Sequence, residues 1–229
     1  MSALKKPSDF ASARFHMVES QIRPNKVRDE RVLDAMGSLP REIFVPSGLS
    51  GIAYIDEDLL VAAGRFLLEP MILARLIEEA KIKPTDSVLD IAPATGYSTA
   101  ILATIAKEVT AIESDPAMQK EAAKNLTALK IANAHVLQGA LTEGYKEKAP
   151  YDVILLNGSV DVLPPALLVQ LGEGGRLLAV VRQFGPAQAA HTGEARLYEN
   201  VRGHISYRVL FDANVKPLPG FQSPPKFVF

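Results

Sequence analysis

Apolar segments that alternate with helical segments between residues 87 and 181 constrain the fold of this chain more than any other feature. Helical patterns at 99–106 and from Pro116 onward separate the first three apolar segments, and Asp115 is placed to cap the second helix. Strands joined through helices form βαβ units, in which the strands lie parallel. The sequence therefore predicts an α/β fold with a doubly wound, mostly parallel sheet. Its predicted strands are 87–91, 108–113, 134–137, 152–156 and 176–181.

The two ends of the chain differ from this central pattern. The first part of the chain, up to about Leu60, is polar and helix-biased, with a helix predicted at 28–36. An extended connector is predicted at 39–46, where each proline disfavours the α conformation of the residue before it. A further helix is expected to begin at Glu69-Pro70. Two segments near 195–200 and 204–211 predict antiparallel strands. We expect one domain over residues 1–229, in which an N-terminal helical and loop extension (1–68) precedes the sheet-forming core (69–229).

Composition narrows the functional classes. The formal net charge of -1 at pH 7 argues against nucleic acid binding. The chain has no cysteine, and its four histidines lack the spacing of metal ligands, so no metal site is predicted. No apolar run is long enough to cross a bilayer and no secretory signal is recognisable, so we expect a cytoplasmic protein without membrane association.

A turn of small residues follows the first predicted strand, at Ala92-Pro93-Ala94-Thr95-Gly96. Small residues allow the backbone to approach a ligand, and the helix that follows offers free amides. Glu113 ends the next strand, where a carboxylate can accept hydrogen bonds from the two ribose hydroxyls of a nucleoside. The alternative is a tight structural turn beside a surface glutamate. Phosphate-rich cofactors are disfavoured because the turn has no Gly-Lys-Ser/Thr and only one glycine.

Further motifs extend over most of the chain, and Pro40-Arg41-Glu42-Ile43-Phe44-Val45-Pro46 is the most specific of them. The others are Met17-Val18, Gln21-Ile22, Ala53-Tyr54, Asp56, 88–102, 150–154, 170–171 and 174–177. On these residues the chain resembles the protein-L-isoaspartate O-methyltransferase family. The resemblance implies a Rossmann-like, class I fold that depends on S-adenosyl-L-methionine (AdoMet). It also implies an enzyme that transfers methyl groups to the isoaspartyl carboxylate of a protein or peptide, a reaction that starts protein repair.

The resemblance also implies roles for individual residues. Asp90 through Gly96 would line the methionyl part of AdoMet, and Glu113 would hold the ribose. Independently of the resemblance, Tyr97 follows the turn and either covers the cofactor or packs in the core. The residues expected at the cofactor are Asp90, Ala92, Pro93, Ala94, Gly96, Tyr97, Glu113, Gly139, Ala140 (the last two beside adenine) and Asn157. A carboxylate acceptor is itself a nucleophile, so no catalytic base is required and no catalytic residue is identified.

Three departures mark the chain as a divergent member of that family. Ala92 and Ala94 replace glycines of the family's turn, and Ala140 replaces an adenine-binding aspartate. The family's Gly-x-Thr-Ile-Ser-x-Pro substrate loop reads Gly64-Arg65-Phe66-Leu67-Leu68-Glu69-Pro70, without the hydroxyls. The substrate-loop candidates are therefore Arg65, Phe66 and Leu68. Arg65 either grips a carboxylate or, as the favoured interpretation, is a solvated loop side chain.

Several alternatives stay open from the sequence. The departures allow a methyltransferase with a less polar acceptor, or a non-catalytic descendant that serves as a binding or assembly module; a dinucleotide-dependent oxidoreductase is a weaker third hypothesis. Tyr54 and Asp56 either form a substrate wall or merely pack and cap a turn, with packing and capping favoured. The segment 217–221, with Phe227 and Phe229, is expected to dock on the body as an apolar strap.

Overall fold

A seven-stranded sheet lies at the centre of the computed structural model, which describes residues 7–183 and 192–222. Its strands are β3 (Ser87–Ile91), β4 (Glu108–Glu113), β5 (Ala134–Gln138), β6 (Tyr151–Val160), β7 (Leu171–Val181), β8 (Gly193–Val201) and β9 (His204–Ala213), and a separate hairpin contains β1 (Leu59–Ala62) and β2 (Arg65–Leu67). The strand order is β5-β4-β3-β6-β7-β8-β9, and all pairs from β5 to β7 are parallel. This arrangement confirms the predicted α/β class and the mostly parallel sheet.

Both faces of the sheet are buried. In β6, Val153 and Leu155 belong to one hydrophobic cluster, whereas Ile154 and Leu156 belong to another, because neighbouring side chains on a strand point to opposite faces. The core helices that accompany the sheet are α3 (Pro70–Ala80), α4 (Tyr97–Ile105), α5 (Pro116–Ala128) and α6 (Pro165–Leu168). Asp115 caps α5 by accepting hydrogen bonds from the amides of the helix's first turn, as expected.

The N-terminal extension is mostly helical. It contains α1 (Pro7–His16), a π-helical turn (Met17–Ile22), a 3₁₀ turn (Arg23–Asn25) and α2 (Glu30–Ser38), which confirms the helical bias. The extended connector predicted at 39–46 is wrong in its centre, where Arg41–Phe44 form a 3₁₀ turn; a second 3₁₀ turn covers Ser47–Ile52. The two prolines restrict only Leu39 and Val45, and both are extended.

A short hairpin links the extension to the core. Strands β1 (Leu59–Ala62) and β2 (Arg65–Leu67) pair antiparallel around a turn at residues 63–64, and they form a sheet separate from the central one. Its outer end is solvent-exposed at Ala63 and Gly64, while Leu59 and Leu67 near its base are buried. A hairpin of this length is marginally stable alone, so it depends on contacts with the body.

The C-terminal strands run antiparallel, β8 to β7 and β9 to β8, as predicted. Residues 215–221 then lie along the carboxyl end of β6, where Ser159 exchanges backbone hydrogen bonds with Lys216 and Leu218. Leu218 and Phe221 are buried, which confirms a docked strap over 217–221; Phe227 and Phe229 lie outside the described residues. Within 7–183 and 192–222, no helix is long and apolar enough to cross a membrane.

Candidate cofactor site at the switch point of the sheet

The small-residue turn lies where the strand order reverses. From β3 the chain proceeds to β4 and β5 on one side, and it returns to β6 on the other side of β3. In open α/β sheets, ligands bind at such a switch point, outside the carboxyl ends of the strands. Residues 91–100, which include Ala92, Pro93, Ala94 and Tyr97, are all buried.

The turn keeps a backbone conformation that suits glycine, although two of its residues are alanine. The φ angles are 61° at Ala92, 52° at Ala94 and 96° at Gly96, all in the left-handed region. A side chain at Gly96 would also meet Ala122 of α5, whose Cβ lies 3.1 Å from the position of an added Cβ. The alanines therefore retain the loop geometry at a cost of about 1–2 kcal/mol of backbone strain each.

Asp90 precedes the turn and accepts hydrogen bonds from the residues on both sides of the switch point. Its Oδ2 accepts hydrogen bonds from Ser98 (2.8 Å) and Thr99 (2.7 Å), and its Oδ1 accepts one from the Asn157 amide (2.6 Å). Asn157 also donates to the Ile91 carbonyl at 2.9 Å, so it joins β6 to β3 across the switch point. Burial raises the pKa of Asp90 to about 6, while the three hydrogen bonds oppose that rise.

Glu113 ends β4 and carries the carboxylate of the site. It is fully buried, and both oxygens are engaged: Arg65 donates from Nη1 to Oε1 at 2.5 Å and from Nη2 to Oε2 at 2.7 Å. The amides of Ala94 and Asp115 donate to the same carboxylate, each at 3.1 Å. The acid expected to meet a ribose thus forms a bidentate ion pair with an arginine 48 positions away in the sequence.

The β1–β2 hairpin positions Arg65. As the first residue of β2, Arg65 follows the exposed turn directly, yet it is only 4% exposed. The solvated loop arginine that the sequence favoured is therefore wrong, because the hairpin directs this side chain inward to Glu113. Of the other substrate-loop candidates, Leu68 is buried and Phe66 is partly buried. The loop therefore carries apolar side chains and one buried arginine, and no residue from 65 to 68 has a hydroxyl.

Arg41, from the most specific motif, fastens this loop to the body. It is fully buried, and it donates to the carbonyls of Ala53 and Leu68, both at 2.7 Å. Its guanidinium lies 4.8 Å from the centre of the Tyr97 ring, and burial lowers its pKa. Tyr97 is fully buried, and its ring packs edge-on against that of Phe44 with 5.2 Å between the ring centres. In this structure Tyr97 therefore packs in the core, which is one of the two roles considered from the sequence.

Tyr54 and Asp56 pack and cap, as favoured from the sequence. The Tyr54 hydroxyl donates to Glu42 and accepts from Arg14 Nε at 3.0 Å. Asp56 accepts a hydrogen bond from the amide of Met71 at 3.0 Å, in the first turn of α3. Both residues therefore stabilise the scaffold around the hairpin.

The far end of the candidate site is more open. Gly139 follows β5 and is partly exposed, and Ala140 is exposed. The Gly139 amide donates to the carbonyl of Glu113 at 3.0 Å, so this segment lies next to the end of β4. The expected adenine end of the site is accessible to solvent, whereas the Glu113 end is filled by Arg65.

Two elements of the site were missed in the sequence. Ser98 and Thr99, which hold Asp90, have a readable signal, since they lie in the first turn of a helix after an acidic strand end. The Arg65–Glu113 pair has no local signal, because a separate hairpin brings the two residues together. In the described ranges, no group of three or more His, Asp or Glu side chains could hold a metal ion.

A parallel sheet with a tight turn after β3 and a buried acid at the end of β4 defines a class of α/β proteins that bind nucleoside cofactors, and the AdoMet-dependent methyltransferases belong to this class. The family model described as protein-L-isoaspartate(D-aspartate) O-methyltransferase matches residues 12–214. The chain belongs to this family.

Relatives and solved structures agree with this assignment. The chain is 41% identical over 213 residues to protein-L-isoaspartate O-methyltransferase 1 of Rhodopseudomonas palustris, covering 93% of this chain and 85% of the relative. It is 40% identical over 181 residues to protein-L-isoaspartate O-methyltransferase of Koribacter versatilis, covering 79% of this chain and 82% of the relative.

Among solved structures, a protein-L-isoaspartate O-methyltransferase matches with a TM-score of 0.77 at 22% identity, covering 90% of this chain and 66% of the other. A Plasmodium falciparum structure, described as a putative protein-L-isoaspartate O-methyltransferase in complex with S-adenosyl-L-homocysteine, matches with a TM-score of 0.71 at 21% identity (90% and 97%). At these identities the structural matches support the fold.

Proposed function

We propose that the chain is an AdoMet-dependent methyltransferase that acts on the carboxylate of an isoaspartyl residue in a protein or peptide. The observation that carries the proposal is the geometry of the candidate site: a tight turn with positive φ at Ala92, Ala94 and Gly96 lies beside the buried carboxylate of Glu113. Family membership supplies the reaction type and the cofactor. The reaction would start the repair of damaged proteins.

The donor and acceptor set fits a nucleoside cofactor once Arg65 withdraws. Glu113 would then accept the two ribose hydroxyls, and the Ala92–Gly96 backbone would contact the methionyl part. Gly139 and Ala140 would border the adenine. Asp90 and Asn157 would act as positioning residues, because their polar atoms already bind each other and the turn. AdoMet supplies a methyl group on a sulfonium, which is an electrophile without further activation.

The protein's own contribution to the reaction would be positioning and exclusion of water. The acceptor carboxylate is ionised at neutral pH, so no general base is needed. Phe66 and Leu68 would line the acceptor side of the site with apolar surface, and Arg41 would fix this loop through the Leu68 carbonyl. Exclusion of water from that surface would desolvate the acceptor carboxylate and so make it a stronger nucleophile.

The proposal is tested with a pair of peptides that differ only in an isoaspartyl or an aspartyl residue. The purified protein is incubated with AdoMet labelled in the methyl group, and base-labile methyl esters are counted. We expect label on the isoaspartyl peptide and loss of that label in Glu113→Gln. Equal labelling of both peptides would refute the substrate class, and no labelling across a broad acceptor screen would refute the activity.

A second candidate is a binding or assembly module that keeps the fold without catalysis. The Arg65–Glu113 ion pair favours this candidate, because Arg65 occupies the carboxylate that a nucleoside cofactor would bind. Methylation by the unmodified protein would eliminate this candidate. A third candidate is a methyltransferase for a less polar acceptor, which the apolar side chains of Phe66 and Leu68 favour. The acceptor screen separates this candidate from the isoaspartyl methyltransferase.

The remaining predictions concern organisation and environment. We propose a single domain over 1–229, because one hydrophobic cluster contains both Met17 of the extension and Val180 of the central sheet. Limited proteolysis that releases a stable fragment would contradict it. Cytoplasmic location and the absence of nucleic acid partners stay predictions, which cell fractionation and electrophoretic binding assays would test.

A further inference from the structure

We propose that Arg65 is an internal competitor for the cofactor: it closes the nucleoside site by pairing with Glu113, and the β1–β2 hairpin must withdraw it before AdoMet binds. This inference rests on the proposed function and adds a regulatory contact at the same site. The geometry that carries it is the bidentate pair, with N–O distances of 2.5 and 2.7 Å and side chains that are 5% and 0% exposed.

The chemistry of the pair makes Arg65 a mimic of the ligand's donors. A ribose presents two neighbouring hydroxyls that donate to one carboxylate, and the guanidinium presents two parallel N–H groups to the same oxygens. Glu113 also accepts from the amides of Ala94 and Asp115, so Arg65 and the ribose would compete for the same remaining positions. Both cannot hold Glu113 in this way at once.

The hairpin is attached to the body at its base, and its outer end is exposed. Its base is fixed where Asp58 accepts hydrogen bonds from the amides of Glu69 and Lys216, at 3.0 and 3.1 Å. Its outer end at Ala63 and Gly64 is exposed. Among the described residues, Arg65 provides the side-chain hydrogen bonds that join this hairpin to the central sheet. This ion pair is therefore the polar side-chain contact that must break for the outer end to leave the central sheet, while the base stays attached.

The ion pair also explains how Arg65 can be buried in a loop whose next three residues, 66–68, are apolar. A bidentate pair with additional amide donors satisfies a carboxylate that has no solvent. Removal of Arg65 would leave Glu113 buried and without a cation until a ligand's hydroxyls replace it. Ligand binding should therefore be much tighter in an Arg65 variant than in the wild type.

The experiment measures the dissociation constant of S-adenosylhomocysteine by calorimetry for wild type, Arg65→Met and Arg65→Lys. The matched control is Arg176→Met, which removes another largely buried arginine–carboxylate pair, with Asp86 at 2.6 Å, at the opposite end of β3. We expect Arg65→Met to bind at least tenfold more tightly than wild type. Arg65→Lys should lie between them, because it keeps the charge without the bidentate geometry, and Arg176→Met should match wild type.

A second measurement uses the unmodified protein, so that the test survives if Arg65→Met does not fold. The guanidinium NMR signal of Arg65, a buried ion-paired group, should disappear or shift at saturating S-adenosylhomocysteine as the pair breaks. Equal affinity of wild type and the Arg65 variants, or an unchanged Arg65 signal in the saturated protein, would overturn the competitor while leaving the proposed function intact. Absence of binding in wild type and both folded Arg65 variants would overturn both.

Discussion

Loss of the Arg65 side chain should destabilise the protein far more than loss of a surface cation. In Arg65→Met, the carboxylate of Glu113 stays fully buried and loses two charge-assisted hydrogen bonds. Breaking one side of a buried pair typically costs about 3–5 kcal/mol, because the remaining charge has no compensation. The comparison is Lys124→Met, whose pair with Glu121 has side chains 72% and 44% exposed and should contribute less than about 1 kcal/mol.

The assay is urea unfolding followed by far-ultraviolet circular dichroism, since the chain has no tryptophan. We expect the free energy of unfolding of Arg65→Met to fall by about 3–5 kcal/mol without ligand. The double variant Arg65→Met/Glu113→Gln should regain at least about 1 kcal/mol, because the unpaired charge is gone. A loss in Arg65→Met no larger than that in Lys124→Met would refute the reasoning, as it would mean that the pair is solvated or absent.

Three further predictions follow from the same structure. Burial and neighbouring carboxylates raise the pKa of Glu69 to about 7. Because the folded state holds the Glu69 proton more tightly than the unfolded state does, protonation of Glu69 stabilises the fold fully below about pH 4.5, and this stabilisation is lost as pH rises towards 7. In urea unfolding between about pH 5 and 8, Glu69→Gln should therefore show a smaller decline of the free energy of unfolding than wild type. Ala92→Gly should leave the free energy of unfolding unchanged or raised, because relief of the strained positive φ offsets the lost methyl group and the added entropy of the unfolded chain. The control, Ala123→Gly inside α5, should lower the free energy of unfolding by about 1 kcal/mol. Equal losses in the two variants would contradict the left-handed conformation of the turn. Arg41→Lys should cost about 2 kcal/mol, because an ammonium cannot reach both carbonyls, and a thermal melt that matches wild type would contradict that role.

The central sheet was predictable because its signals are local. Strand β4 was located at 108–113 from its apolar composition and from Asp115-Pro116, which begin the next helix. The position of Glu113 at the end of that strand followed directly. The antiparallel end of the sheet was also readable, since a loop too short for a crossover joins the last two strands.

The hairpin and the turn conformation were not predictable for physical reasons. Strands of three or four residues give too little alternation to detect, so β1 and β2 were missed and Arg65 was expected in solvent. Alanine disfavours positive φ, yet hydrogen bonds from the Ala92 amide to Ile112 and from the Ala94 amide to Glu113 hold the turn in that region. Tertiary contacts overrode local preference at both places, and both adjoin Glu113.

The most direct test of the account is whether Glu113 recognises ribose hydroxyls. Calorimetry would compare S-adenosylhomocysteine with an analogue that lacks both hydroxyls, using Arg65→Met and the double variant Arg65→Met/Glu113→Gln. The account predicts that Arg65→Met binds the natural nucleoside at least tenfold more tightly than the analogue, and that the double variant loses most of this preference. Equal affinity of Arg65→Met for the two ligands would contradict a nucleoside site at Glu113.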